Sequence, residues 1–145
     1  MEGSEFRSIV SVFSCQVQWG DCDPAGIIFY PTYFRWIDAA SWALFESAGF
    51  GPGWMRARHL VIPVVSAECQ FLFPAAQGDR CEVRSRIASF GGKSFVVEHD
   101  IVRSDGTGLA RGRETRVWGR HANGPGTPIK GETMPEELKA RFRAK

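Results

Sequence analysis

The hydrophobic period of this chain changes abruptly just before Pro31, and this change constrains the fold more than any other feature. Over residues 9–19, apolar and polar residues alternate, as they do along a strand with one buried face. A turn rich in Gly, Asp and Pro follows at residues 20–26, and over residues 31–48 the apolar residues recur with a helical period. The apolar stripe of this helix is broad, so we expect other elements to enclose it.

The second half of the chain is rich in strand-like segments. We expect strands at residues 60–73, 80–90, 93–103 and 109–118, with Arg111 and Arg113 on the same face of the last strand as Leu109 and Val117. The turns at residues 91–92 and 104–106 are hairpin signals, so these strands are predicted to be antiparallel. Loops are expected at residues 49–53 and 121–128, and a short helix at residues 135–143.

This order of elements predicts an α+β fold in which a curved, antiparallel, five-stranded sheet encloses one long central helix. An edge strand is left unpaired, and pairing two such edges would give a homodimer with a continuous sheet. The length suits a single domain over residues 1–145, with residues 1–7 and 140–145 expected to be flexible.

Composition narrows the classes of function. The formal net charge of +2 does not indicate binding to nucleic acid or to an anionic membrane. No apolar run is long enough to span a membrane, and the first residues lack the apolar core of a secretory signal. The four cysteines match no zinc spacing, and His59, His99 and His121 form no metal pattern. We therefore expect no metal, reduced thiols and a cytoplasmic location, with His99 as a hydrogen-bonded core or interface residue.

Asp23 is the strongest candidate for catalysis. It follows a strand, precedes Pro24 in a tight turn, and lies a few residues before the predicted helix. The first turn of a helix carries unpaired N–H groups and a partial positive charge, which stabilise a developing oxyanion. A carboxylate beside the N–H of Tyr30 could attack a carbonyl or activate water. The alternative is that Asp23 only caps the turn.

Two neighbours of Asp23 also carry reactive groups. Asp21 is expected to be structural, because two acids separated by one residue on an extended segment point apart. Cys22 could act as a nucleophile, but no histidine lies in the motif to activate it, so a buried thiol is the favoured interpretation.

A long contiguous motif carries a resemblance to a known family. Residues 20–26 read G-D-C-D-P-A-G, and residues 30–41 fit Y-P-x-Y-x-R-W-x-D-A-A-S. Residues 62–66, 93–96 and 116–118 add shorter matches. From about Val10 to Leu138, the chain resembles the bacterial 4-hydroxybenzoyl-CoA thioesterases, which are hot-dog thioesterases.

The resemblance implies a hot-dog fold, a dimer or a dimer of dimers (a homotetramer), and hydrolysis of an acyl-CoA thioester without a metal or cofactor. It implies that Asp23 is the catalytic carboxylate and that the backbone N–H of Tyr30 polarises the thioester carbonyl. The substrate-binding residues that it implies are Asp38, Trp54, Ile62, Pro63, Val64, Lys93, Ser94 and Lys130. For Asp38, a solvent-exposed role on the helix remains an equal alternative.

The chain departs from the family pattern at several positions. Gly91, Gly92 and Pro128 stand where the family has basic residues, which weakens the implied grip on the CoA phosphates. Arg120 or His121 could substitute, since a phosphate needs cationic partners more than a fixed position. Ile62 replaces a threonine, so the implied acyl pocket is more apolar.

The resemblance favours hydrolysis of an aromatic, 4-hydroxybenzoyl-like thioester, with Asp23 acting as a nucleophile or as a general base. Benzoyl, phenylacetyl-like and aliphatic acyl groups remain alternatives. A dehydratase is disfavoured because no histidine occurs between Val17 and Arg58. A non-catalytic module that binds acyl thioesters is the third possibility.

Overall fold

The computed structural model describes residues 6–145, and its longest element is the predicted helix. Helix α1 spans Tyr30–Ser47. Pro31 fits its first turn, where a missing N–H costs no hydrogen bond. Gly49 follows the end of the helix with a φ of +97°, a conformation that glycine adopts without strain.

A five-stranded antiparallel sheet packs around α1. Its strands are β1 (Ser11–Gln16), β3 (Val64–Phe71), β4 (Arg80–Phe90), β5 (Ser94–Arg103) and β6 (Gly108–Val117), in the spatial order β1-β4-β5-β6-β3. The predicted α+β architecture is therefore confirmed. Strand β3 is hydrogen-bonded only to β6 within this sheet, so its other edge is open.

The segment predicted as one strand at residues 60–73 is two strands in two sheets. Strand β2 (Leu60–Val61) joins β7 (Gly119–His121) and β8 (Ile129–Gly131) in a small three-stranded sheet, whereas β3 belongs to the main sheet. Pro63 lies at the break, has no N–H to donate, and accepts a hydrogen bond from the N–H of Val117 at 3.0 Å.

One helix occurs where the sequence predicted a loop, and the C-terminal helix lies in the region predicted for it, residues 135–143. The expected loop at residues 49–53 contains the start of α2 (Pro52–Ala57). The C-terminal helix is α3 (Glu136–Lys139), followed by a 3-10 turn at Ala140–Phe142. No helix within residues 6–145 is both long and apolar enough to cross a membrane.

The C-terminal residues pack against the core. Phe142 is fully buried and lies 4.9 Å from Phe45 between ring centroids. Its carbonyl accepts a hydrogen bond from the N–H of Ile9 at 2.7 Å, and the N–H of Ala144 donates to Arg7. Residues 140–145 are thus not the flexible tail expected from the sequence, because burial of a phenylalanine ring contributes about 2–3 kcal/mol to stability. Of the N-terminal segment expected to be flexible, residues 1–5 lie outside the described residues.

Strand β6 turns a polar face toward α1. Of the face assignment made from the sequence, Val117 does share a face with Arg111 and Arg113, but the placement of Leu109 with them is wrong. The register shifts opposite Ile101 and Val102 of β5, so that Leu109 and Ala110 are both buried. After this bulge the inward residues are Gly112, Glu114 and Arg116, while Arg111 and Arg113 face solvent. At Gly112 the helix lies so close that an added Cβ would overlap the side chain of Ile37.

Candidate active site

Asp23 lies in a tight loop that closes on itself. The N–H of Asp23 donates to the carbonyl of Ile27 at 2.9 Å, and the N–H of Gly26 donates back to the carbonyl of Asp23 at 2.9 Å. Gly26 has a φ of +80°, which lets the chain reverse here. The Oδ1 atom of Asp23 accepts the N–H of Ala25 at 2.8 Å, and within residues 6–145 the Oδ2 atom has no hydrogen-bond partner. One carboxylate oxygen orients the side chain, and the other is free to react.

The start of α1 leaves one amide unpaired. The cap residue Phe29 offers no side-chain hydrogen bond, and Pro31 has no N–H. The N–H of Thr32 donates to the carbonyl of Phe29 at 2.9 Å. The N–H of Tyr30, which precedes the proline, finds no acceptor in the part of the chain that the structure describes. It lies at the positive end of the helix dipole, where an oxyanion is stabilised.

Asp23 and Tyr30 line the same cavity, which has a volume of about 380 Å³. The remaining lining residues are mostly apolar: Ile27, Ile28, Tyr33, Phe71, Leu72, Phe73 and Pro74. Burial raises the pKa of Tyr33 to about 12, so its phenol stays neutral. The cavity thus brings Asp23 and Tyr30, the first residue of α1, to one mostly apolar wall that suits an acyl group.

Asp21 has the structural role expected of it. Its side chain is largely buried, accepting the N–H of Gln18 at 2.8 Å and the guanidinium of Arg35 at 2.7 Å. Its carbonyl accepts the N–H of Phe29 at 2.8 Å and the hydroxyl of Thr32 at 3.1 Å. Three of these four bonds, those with Arg35, Phe29 and Thr32, join the loop to the start of α1 and so hold Asp23 and Tyr30 close to each other.

The cysteines show no arrangement for nucleophilic catalysis. The thiol of Cys22 lies 3.6 Å from the carbonyl of Gln18. Burial raises the pKa of Cys15 to about 12 and the pKa values of Cys69 and Cys81 to about 11, so these three thiols stay protonated near neutral pH. No group of three or more His, Cys, Asp or Glu side chains among the described residues could hold a metal ion.

Asp38 lies outside the Asp23 cavity of its own chain. Its side chain is 59% exposed, and its Oδ1 atom lies 2.8 Å from Nη2 of the buried Arg116. The Nη1 atom of Arg116 donates to the carbonyl of Ile62 at 2.9 Å. Asp38 is therefore grouped with the segment that contains Ile62, Pro63 and Val64. This group lies at one end of β3, and Phe71 and the Asp23 cavity lie at the other.

A buried polar network connects this group to the core, and the sequence did not predict it. Glu114 accepts hydrogen bonds from Ser41, from Nε2 of His99 at 2.9 Å and from Arg116 at 2.7 Å. Nδ1 of His99 lies 2.6 Å from the hydroxyl of Ser85, so His99 is satisfied in the core. The sequence contained one signal for this network: Glu114 and Arg116 carry opposite charges and lie two positions apart on a strand, so their side chains lie on the same face.

The pKa of Glu114 is set by opposing effects. Burial favours the neutral form and raises the pKa, but the hydrogen bond from His99, the charge of Arg116 and the other hydrogen bonds outweigh it. The net result is a pKa below the usual value for glutamate. The Nε atom of Arg116 is buried without a hydrogen-bond partner among the described residues. Burial of this guanidinium therefore carries a desolvation penalty that its hydrogen bonds do not fully offset.

The residues implied for CoA binding do not line the Asp23 cavity of their own chain. Lys93 and Lys130 are both exposed. They lie in the same region, since Gly131, which follows Lys130, faces the side chain of Lys93. Ser94 follows at the start of β5. Trp54 packs against Phe50 with the two rings tilted, and the guanidinium of Arg58 lies 4.0 Å from the centroid of its indole ring.

The two residues considered as substitutes for the missing basic positions already have partners. Arg120 donates to Glu132 at 2.9 Å and to the carbonyl of Arg58 at 2.6 Å. Nδ1 of His121 lies 3.2 Å from the carbonyl of Thr127. Neither side chain is therefore an uncommitted phosphate ligand in this structure.

Known proteins share both the sequence and the shape of this chain. The family model described as "Thioesterase-like superfamily" matches residues 17–142. The 4-hydroxybenzoyl-CoA thioesterase of Pseudomonas sp. (strain CBS-3) is 36% identical over 111 residues, which are 71% of this chain and 78% of that protein.

Solved structures agree with these sequence matches. The structure of the Pseudomonas sp. strain CBS-3 enzyme superposes with a TM-score of 0.81 at 30% identity, over 91% of this chain and 98% of that one. A gentisyl-coenzyme A thioesterase superposes with a TM-score of 0.77 at 32% identity, over 90% of this chain and 98% of that one. The resemblance seen in the sequence and the hot-dog fold are confirmed.

Proposed function

Because the chain belongs to the thioesterase-like superfamily and is a thioester hydrolase, we propose that it hydrolyses an aromatic acyl-CoA to the free acid and CoA. The observation that carries this proposal is that Asp23 and Tyr30 line one cavity, while Asp23 has a carboxylate oxygen without a hydrogen-bond partner and Tyr30 an N–H without an acceptor within residues 6–145. Relatives named for 4-hydroxybenzoyl-CoA and gentisyl-CoA support an aromatic acyl group, and so do the aromatic residues of the cavity wall.

The proposed reaction uses the two groups in fixed roles. The N–H of Tyr30 donates to the carbonyl oxygen of the thioester and stabilises the negative charge that develops on it. In the nucleophilic route, Asp23 adds to the carbonyl carbon, the C–S bond breaks, CoA leaves as a thiolate, and water hydrolyses the resulting anhydride. In the general-base route, Asp23 takes a proton from water, the hydroxide adds, and the proton passes to the departing sulfur.

A second copy of the chain would complete this site. Exposed apolar residues lie at both ends of β3, whose edge is open: Val65 near its start and Leu72 just after its last residue. Antiparallel pairing of two β3 edges would bring the Val64 end of one chain beside the Phe71 end of the other. Asp38 and Val64, which are exposed, would then lie on the side of the Asp23 cavity of the partner, whereas the side chain of Ile62 is buried in the core of its own chain. This arrangement explains why the implied substrate residues are divided between two ends of one chain.

The decisive experiment is thiol release by an Asp23→Asn variant. We expect kcat/KM for an aroyl-CoA to fall by at least about 100-fold with the fold unchanged, because the amide can neither attack nor accept a proton. Glu82→Gln, on the outer face of the sheet, is the matched control and should keep full activity. Normal turnover by the Asp23→Asn variant would remove Asp23 from the mechanism. Binding of acyl-CoA without any thiol release by the wild-type protein would identify a non-catalytic module.

The acyl group is tested with a panel of CoA esters. An aliphatic acyl-CoA is the second candidate, because most of the residues that line the cavity are apolar. We expect kcat/KM to be higher for benzoyl and 4-hydroxybenzoyl esters than for butanoyl and octanoyl esters. The reverse order would assign the enzyme to aliphatic substrates.

The cytoplasmic location predicted from the sequence stays a prediction.

A further inference from the structure

Arg116 is a buried cation that reaches the protein surface through one of its partners. Its side chain is 3% exposed, and its Nη2 atom donates to Glu114 at 2.7 Å and to Asp38 at 2.8 Å. Its Nη1 atom donates to the carbonyl of Ile62 at 2.9 Å. A guanidinium is a rigid, planar fork, so these three acceptors are held in fixed directions relative to one another. Arg116 therefore joins α1 to the segment that leads into β3.

The strand beside these contacts contains a bulge. Arg116 pairs in register with Val64, but the register of β3 and β6 shifts between Val64 and Ser66. Val65 is the extra residue of this bulge, and Val64 and Val65 are 44% and 62% exposed. A bulge bends its strand and changes the direction of side chains, and bulges are frequent next to active sites. Arg116 therefore supports the start of β3 at the point where its apolar side chains turn outward.

Asp38 presents one carboxylate oxygen to the core and one to solvent. Its Oδ1 atom accepts from Arg116, and its Oδ2 atom has no hydrogen-bond partner within residues 6–145. An ion pair between two mobile surface side chains orients neither of them well. Here the cation cannot move, because Glu114 and the carbonyl of Ile62 hold it from inside the core. The free oxygen of Asp38 is thus kept in one direction, although the side chain is 59% exposed.

We propose that Arg116 is a positioning residue for acyl recognition in the cavity of the partner subunit. Pairing of two β3 edges brings Asp38 and the start of β3 of one copy to the side of the Asp23 cavity of the other. Arg116 touches no substrate and acts through Asp38, whose oriented oxygen accepts a hydrogen bond from a donor on the acyl group. This inference rests on the proposed thioesterase function. It assigns control of the acyl preference to a residue in the core of the opposite chain.

The test follows one ratio, that of kcat/KM for 4-hydroxybenzoyl-CoA to kcat/KM for benzoyl-CoA, two esters that differ by one donor. We expect Arg116→Lys to lower this ratio about 10-fold, the loss of one hydrogen bond to a charged group, because an ammonium does not hold three acceptors at fixed angles. In an Asp38→Ala background, Arg116→Lys should leave the ratio unchanged, since Arg116 acts through Asp38. A purely structural role would lower turnover of both esters equally and in both backgrounds.

Two further variants keep this test decisive. Glu114→Gln/Arg116→Met removes both buried charges together, so it serves where Arg116→Lys does not fold, and it should lower the ratio to the same extent. Arg113→Lys is the matched control, because Arg113 lies on the same strand but faces solvent and pairs with Glu98 there. It should keep the wild-type ratio. A wild-type ratio in folded Arg116→Lys, or in the folded double variant, would overturn the proposal.

Mixed dimers test whether Arg116 acts across the subunit boundary. Asp23→Asn and Arg116→Lys chains with different affinity tags are refolded together, and the mixed dimer is isolated. Its one active site combines Asp23 of the Arg116→Lys chain with Arg116 of the Asp23→Asn chain, so we expect the wild-type ratio. The ratio of the Arg116→Lys homodimer, or a protein that stays monomeric, would overturn the proposal. Equal kcat/KM for the two esters in wild type would overturn this inference alone, whereas no hydrolysis of any aroyl-CoA would overturn the proposed function.

Discussion

Glu114 and Arg116 form a buried ion pair on the inner face of β6, with 2.7 Å between Oε2 and Nη2. The same guanidinium holds Asp38 at the surface of α1 and the carbonyl of Ile62 at the start of the β3 segment. One side chain in the core therefore connects the helix, the sheet and the segment implied in acyl binding. Because both charges are buried, removing either partner leaves the other charge with less compensation.

We expect Glu114→Ala to lower the free energy of unfolding by about 3–5 kcal/mol, because it leaves the guanidinium of Arg116 buried beside only a surface carboxylate. Urea denaturation followed by circular dichroism measures this loss. Glu82→Ala is the control, since its ion pair with Arg84 is exposed and should contribute at most about 1 kcal/mol. Equal, small losses in the two variants would contradict a special role for the buried pair.

The lowered pKa of Glu114 makes stability depend on pH in a definite direction. A carboxyl whose pKa is lower in the folded than in the unfolded protein contributes its full stability above the unfolded pKa, which for glutamate is near 4.5. That contribution is lost as the pH falls below this value toward the folded pKa. Between about pH 6 and about pH 3, the melting temperature of wild type should therefore fall more steeply than that of Glu114→Gln. Parallel curves for the two proteins would show that Glu114 does not carry the effect.

Gly112→Ala should destabilise the fold by about 1–3 kcal/mol, because the added methyl group meets the side chain of Ile37 where α1 lies against β6. Gly108→Ala is the matched control on the same strand, since nothing lies within 4 Å of its added Cβ. Adding Ile37→Ala to Gly112→Ala should cost less than Ile37→Ala costs alone in wild type, a coupling measurable in a double-mutant cycle. Strict additivity would mean that the two residues are not in contact.

The thiols of Cys15, Cys69 and Cys81 should react slowly with iodoacetamide in the folded protein at about pH 8, because burial raises their pKa values to about 12, 11 and 11. Mass spectrometry of timed samples would measure the labelling of each residue, with urea-unfolded protein as the reference.

We also expect Cys22→Ser to keep thioesterase activity, since Asp23 supplies the carboxylate. Loss of activity in a folded Cys22→Ser variant would instead support Cys22 as the nucleophile.

Local patterns in the sequence predicted the long helix and most strands, because Pro31, Gly49 and the hairpin turns mark their ends through backbone geometry alone. The inward face of β6 could not be predicted, since the bulge opposite Ile101 and Val102 inverts the alternation and only pairing with β5 creates it. The division of residues 60–73 between two sheets depends on the partner strand β7, which lies far along the chain.

The candidate site was predicted in part. The spacing of Asp23 and Tyr30 pointed to both groups, and the structure brings both to one cavity. The network around Glu114 and the location of Asp38 away from that cavity depend on side chains that meet only after the sheet has closed. No local pattern encodes such long-range contacts.

Among the described residues, Asp23 alone lines two neighbouring spaces, and the other residues of the two linings are different. Residues Phe71 and Leu72 shape one space, whereas Trp19 and Gln77 shape the other. A substitution in either set leaves the opposite compartment intact. Substitutions that accumulate in evolution can therefore change the residues that line one space while the residues that line the other stay the same.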